Sequence, residues 1–133
     1  MPNALYPYGK AEMMRGAINL VSDTIVAYLV DGADYTYSSA HKFLSDVAAI
    51  GRVDSFTLAS KTVSDAGVFD AADGSFAAAT GDPSEIIILV KDTGVAATSQ
   101  LILYYDTGVT GLPVTPNGGD INVTWDATGI FLL

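Results

Sequence analysis

The stretch Glu85-Ile-Ile-Ile-Leu-Val-Lys-Asp-Thr-Gly-Val-Ala-Ala-Thr-Ser-Gln-Leu-Ile-Leu-Tyr-Tyr-Asp106 decides the fold. Its two apolar runs, residues 86–90 and 101–105, are β-branched, aliphatic and aromatic and have the length of strands. Asp92-Thr93-Gly94 between them has turn chemistry. Together they predict an antiparallel pair at the centre of a sheet.

Upstream, Leu5, Tyr8, Ala11, Met14 and Ile18 recur at spacings of three and four, which predicts a short amphipathic helix within residues 3–17. Pro7 fits only its first turn. Residues 24–30 read as a buried strand, closed by Asp31-Gly32-Ala33-Asp34. Residues 38–49 predict a second helix, with Ser38 or Ser39 as N-cap, Phe43, Leu44, Val47 and Ala48 on one face, and Gly51 ending it.

After Gly51 the pattern changes to short alternating segments separated by turn residues. Residues 53–59, with 61–63 as a neighbouring edge, 68–69, 76–79, 121–125 and 130–133 are the strand candidates, and Gly81-Asp82-Pro83 is a break. The expected fold is mainly β, a β-sandwich or jelly-roll-like single domain over residues 1–133 with two short helices near the N-terminus. Pro113, Pro116 and Asn117-Gly118-Gly119 keep residues 109–119 from forming a continuous strand and leave a loop long enough to have a role.

With 133 residues, half of them hydrophobic, the chain can bury one core without disulfides or metal. Cysteine is absent, which removes thiolate chemistry and fits a reducing cytoplasm. No apolar run approaches the roughly 18 residues of a membrane span, and no secretion signal is expected at the N-terminus. The net charge is -9, and Lys61 and Lys91 are the only basic residues after Arg52. Such a surface repels phosphate backbones, which argues against nucleic-acid binding.

The triplet Asp-Thr-Gly occurs at 92–94 and 106–108, as in aspartic proteases. Here Asp92 and Asp106 flank one predicted strand, which would hold their carboxylates about 20 Å apart, so both read as turn formers. Asp70, Asp73, Gly74 and Ser75, and Asp31 and Asp34 about Gly32, resemble calcium loops without the full spacing or the bidentate glutamate, and they too read as turns. His41, the only histidine, falls on the surface of the second predicted helix, and Ser38 and Ser39 lack a nucleophile elbow. The sequon Asn122-Val-Thr124 has no secretory context, and Gly118-Gly119 has no helix behind it to make a phosphate loop. Tyr28, Tyr104, Tyr105 and Trp125 lie in predicted strands, where packing explains them, with sugar binding as the rival use. No catalytic, cofactor-binding or metal residue is assigned, and no enzyme activity is expected.

Several pieces are familiar together: Asn3-Ala-Leu-Tyr-Pro7, the turn from Val30-Asp31 to Tyr35-Thr-Tyr-Ser38 followed by His41-Lys-Phe-Leu44, Val68-Phe-Asp-Ala-Ala-Asp73, Tyr105-Asp-Thr-Gly-Val-Thr-Gly-Leu-Pro-Val-Thr-Pro-Asn-Gly-Gly-Asp120, and Val123-Thr-Trp125. They resemble a family of small proteins in tailed-bacteriophage and prophage genomes, found among virion structural genes, and the match runs over nearly the whole chain. Within that class the size and β content are similar to head decoration, or cement, proteins. The resemblance implies a location in the virion after assembly in the bacterial cytoplasm, with the major capsid protein or other virion proteins as partners. A phage-surface carbohydrate or receptor-binding module and a tail or neck component are the alternatives.

Residues 24–30, 86–90 and 101–105 are apolar on both alternating faces. An opposing sheet covers one face, and two short helices are too little for the other. This predicts a homo-oligomer, or a shell surface, completing the burial, with residues 109–119 as a second contact whose backbone groups are left for a partner.

Overall fold

The computed structural model describes residues 3–77, 80–81, 83–106 and 114–132. Among them the chain is mainly β, with several antiparallel sheets and one α-helix. The strands are β1 (Ala4–Leu5), β2 (Ile25–Val30), β3 (Arg52–Thr57), β4 (Thr62–Val63), β5 (Val68–Asp70), β6 (Gly74–Phe76), β7 (Ile86–Lys91), β8 (Gln100–Tyr105), β9 (Ile121–Val123) and β10 (Phe131–Leu132). The helix α1 spans Pro7–Met14, with the proline at its start.

The expected antiparallel pair is β7 and β8, and it lies inside a five-stranded sheet of order β1-β8-β7-β2-β3. A three-stranded sheet (β10-β5-β4) and a two-stranded one (β6-β9) form the opposing layer. β4 therefore belongs to the second layer and is not a neighbour of β3. β6 begins and ends earlier than residues 76–79, of which 78 and 79 lie outside the described residues.

Alternation divides the large sheet cleanly. Ile25, Ala27, Leu29, Ile87, Leu89, Leu103 and Tyr105 face the opposing layer, where they pack on Phe69, Phe76, Ile121, Val123, Trp125 and Ile130. Val26, Val30, Ile86, Ile88, Val90, Leu101 and Tyr104 face the other way. In β8 the register shifts between Leu103, opposite Leu89, and Leu101, opposite Val90. Ile102 is the extra residue of this bulge and turns toward the same core as Leu103.

The second face is covered by the chain itself. Tyr6, Tyr35, Leu44 and Val47 close over it, and Ile88, Val90 and Leu101 are wholly buried. Its burial needs no neighbouring subunit, so the sequence argument for a partner on these strand faces loses its premise. Besides Tyr6, what covers it is largely irregular chain from residues 31–47, which periodicity does not reveal.

The second predicted helix is not there. Residues 38–43 are irregular and are followed by two 3-10 turns, Leu44–Asp46 and Ala49–Gly51. Long-range bonds take the backbone groups an α-helix would use: Leu44 N–H donates to Ser99 C=O at 2.8 Å, and Leu101 N–H to Lys42 C=O at 2.9 Å. Asp46 accepts the N–H groups of Lys42 and Phe43 at 2.8 and 3.1 Å, closing the first turn locally.

The first helix is shorter than predicted and presents a different face. Leu5 belongs to β1, and Met14, expected in the buried stripe, is 79% exposed. The buried residue is Gly9: a Cβ there would lie 2.4 Å from the Leu101 carbonyl oxygen. The helix approaches β8 backbone to backbone, an approach only glycine allows.

Candidate functional site

β2 and β8 run antiparallel to β7, so the end of β2, the start of β7 and the end of β8 meet at one edge of the sheet. Gly32, Glu85 and Asp106, each just outside its strand, gather there. Gly32 N–H donates to Glu85 Oε2 at 2.8 Å, a contact that a Cβ on residue 32 would crowd at 2.9 Å. The Asp106 N–H donates to Asn3 Oδ1 at 2.7 Å, tying the N-terminal arm to the same corner.

Tyrosines form the floor. The Tyr6 and Tyr35 hydroxyls are 2.7 Å apart, and the Tyr35 hydroxyl is 2.9 Å from His41 Nδ1. The three groups form one chain of hydrogen bonds, whose direction follows the His41 tautomer. Tyr37 sits between Tyr6 and Tyr104, with ring centroids 5.1 and 5.3 Å away. Burial pushes the Tyr35 hydroxyl up to about 12, opposed by the bond from Tyr6. Tyr104 is pushed up to about 12 by burial first, then by the charge of Asp106, a hydrogen bond to it, and the charge of Glu85. Tyr6 is raised further, by burial and by its bond to Tyr35.

Above this floor is a cleft of about 540 Å³, walled by Tyr35, Tyr37, Tyr104 and Ile86 and rimmed by Glu85 and Asp106. Among the described residues no lysine, arginine or histidine lines it. Its chemistry is that of hydrogen-bond acceptors, negative charge and aromatic surface.

The other predicted positions are dispersed. Asp92 accepts the Gly94 N–H at 3.2 Å in a turn where Gly94 has φ +84°, as expected of a turn former. Asp92 and Asp106 lie at opposite ends of β8, as their spacing predicted, with residues 107 and 108 of the second triplet outside the described residues. Asp31 accepts the Ala33 N–H at 2.9 Å, and Asp73 the Trp125 N–H at 2.9 Å. Among the described residues no three His, Cys, Asp or Glu side chains converge as metal ligands, and no helix is long and apolar enough to cross a membrane. His41 is off any helix and belongs to the tyrosine network, which corrects its expected place on a helix surface.

Of the predicted loop 109–119, residues 109–113 lie outside the described residues. Val114 exchanges both backbone bonds with Ser84 at 2.8 and 2.9 Å, and Pro116 is buried, so these groups are not left for a partner. The grouping of Glu85 with Asp106 was missed in the sequence although the antiparallel pairing implies it: the residue before one strand and the residue after its partner share an end. No protein-family model matches the chain, and no curated protein is significantly similar to it.

Proposed function

We propose that this chain is a non-enzymatic structural protein of a tailed-phage virion, a capsid decoration protein that ties neighbouring shell subunits together. The observation that supports the reading is that the distant segments carrying the resemblance pack on one another. Asn3 bonds Asp106, Tyr6 bonds Tyr35, and Tyr35 bonds His41. Trp125 Nε1–H donates to Ala72 C=O at 3.2 Å, and the Trp125 ring meets Tyr105 edge-on at 6.2 Å. The segments that carry the resemblance thus form connected clusters in the fold. Because both faces of the main sheet are covered within one chain, the domain docks as a preformed unit, and its contacts with the shell or with other copies come from edges and the cleft.

Co-sedimentation with shells assembled from the phage's own major capsid protein tests this. Saturable binding that raises the shell's melting temperature is expected, and failure to bind expanded or unexpanded shells overturns it. The tyrosine-lined cleft favours a second reading, a carbohydrate or receptor-binding module, which a glycan array scores directly.

A further inference from the structure

We infer that Asn117 is a site of spontaneous covalent modification, converted to aspartate and isoaspartate through a cyclic imide closed by the backbone nitrogen of Gly118. Both residues are exposed, in a bend held at its two ends. On one side Val114 is bonded to Ser84 and Pro116 is buried; on the other Ile121 pairs with Phe76 at the start of β9. Within the bend the Gly119 N–H donates to Asn117 Oδ1 at 2.9 Å, and Gly118 has φ +88°. Among the described residues neither the Gly118 N–H nor Asn117 Nδ2 has a bonding partner. The nucleophile and the leaving group are therefore free, while the carbonyl oxygen between them is held by a donor that binds more strongly as negative charge builds there.

Ring closure starts as hydroxide takes the Gly118 amide proton and becomes water. The nitrogen adds to Asn117 Cγ, and the carbonyl electron pair moves onto Oδ1, against the Gly119 N–H. When that pair returns, the Cγ–Nδ2 bond breaks, and Nδ2 leaves as ammonia with a proton from water, restoring the hydroxide. A second water opens the imide, its hydroxyl joining a carbonyl carbon and its hydrogen the Gly118 nitrogen. Opening at the main-chain carbonyl carries the backbone through the former side chain and gives isoaspartate; opening at the other gives aspartate. The balance is one water consumed and one ammonia released, and either product adds a carboxylate to a chain that already carries -9.

The other asparagines lack the combination. Asn19 Oδ1 accepts the Val21 and Ser22 N–H groups, but Leu20 follows it. Asn122 is fixed in β9 opposite Ser75 and precedes the β-branched Val123, and Asn3 Oδ1 takes the Asp106 N–H with Ala4 of β1 following. A side chain on the following residue stands in the path of the closing ring, and only Asn117 is followed by glycine. This chemistry is intrinsic to the chain and holds whether or not the domain docks on a shell.

The test is peptide mapping by mass spectrometry of the folded full chain, aged at neutral and at mildly alkaline pH, with isoaspartate scored by enzymatic methylation. Asn117 is expected to lose its amide ahead of Asn3, Asn19 and Asn122, to give both products, and to do so faster at the higher pH because the Gly118 N–H must ionise. Gly118→Ala is expected to slow the loss by about tenfold, the order of the cost of a Cβ in that backbone region. An Asn117 that keeps its amide in the folded chain but loses it in the urea-unfolded one overturns the inference, as does aspartate formed without isoaspartate, or another asparagine converting first. These comparisons use the unaltered chain and stand even if Gly118→Ala disturbs the bend.

Discussion

The Tyr6 hydroxyl, on a side chain with no solvent exposure, lies 2.7 Å from the Tyr35 hydroxyl, and this bond joins the N-terminal arm to the segment that covers the second face of the main sheet. Its two ends are not equivalent. Tyr6→Phe removes one bond and leaves Tyr35 still bonded to His41, so it costs about 1 kcal/mol. Tyr35→Phe strands a buried hydroxyl on Tyr6 and costs about 2–3 kcal/mol. The double variant is expected to be more stable than the sum of the two losses implies. Urea denaturation of the four proteins in this cycle measures it, and equal single losses that add would refute the coupling of the two hydroxyls.

Gly9→Ala is expected to destabilise by about 1–3 kcal/mol, since its Cβ meets backbone that cannot rotate away. Gly74→Ala is the comparison, because its Cβ would strike the Phe56 ring at 2.2 Å, and that ring is itself held edge-on by Phe76 at 4.9 Å. Both appear as lower denaturation midpoints with an unchanged denaturant slope.

Alkali acts through the tyrosines. Tyr35 and Tyr104 are pushed up to about 12 in the folded chain, against about 10 unfolded. The unfolded state therefore gives up these protons first. The stability they confer is complete below about pH 10 and is lost as pH rises toward 12. The expected result is that tyrosinate absorbance from these residues develops together with loss of the native near-ultraviolet circular dichroism, not before it.

Acid acts at Asp46, whose carboxyl is held below the usual aspartate range by the N–H groups of Lys42 and Phe43. Its contribution is present above the unfolded value of about 4 and is lost as pH falls through the lowered folded one. Asp46→Ala is expected to cost about 1 kcal/mol at neutral pH, as for the loss of a cap. The gap between variant and parent closes in acid, and a gap that persists there would point to packing instead.

The sheet was legible because strands buried on both faces write themselves as apolar runs: residues 86–90, 101–105 and 24–30 fall within a residue or two of β7, β8 and β2. The helix expected over residues 38–49 failed because Leu44 and Val47 keep a helical spacing while Leu44 bonds Ser99, more than fifty residues away, and such tertiary bonds leave no mark on local pattern. Gly9, which the helical stripe does not include, is the helix's contact surface. Tyr104 read as a packing residue, which it is, and only its convergence with Tyr35, Glu85 and Asp106 makes a cleft wall of it. That convergence is a property of strand order, which composition and spacing do not fix.

The bulge in β8 separates two tasks that a regular strand would have to share. Without Ile102, Leu103 and Leu101 would still oppose Leu89 and Val90, so every remaining side chain would keep its face of the sheet. The carbonyl of Ile102, however, accepts the Tyr6 N–H at 2.9 Å. Deleting this one residue should therefore leave a folded sheet, weaker by one buried isoleucine, whose N-terminal arm exchanges its amide protons and yields to protease far ahead of the rest. The arm's short strand β1 is latched to the domain by this bond beyond its own two-residue ladder, and the bulge residue sets where the latch falls.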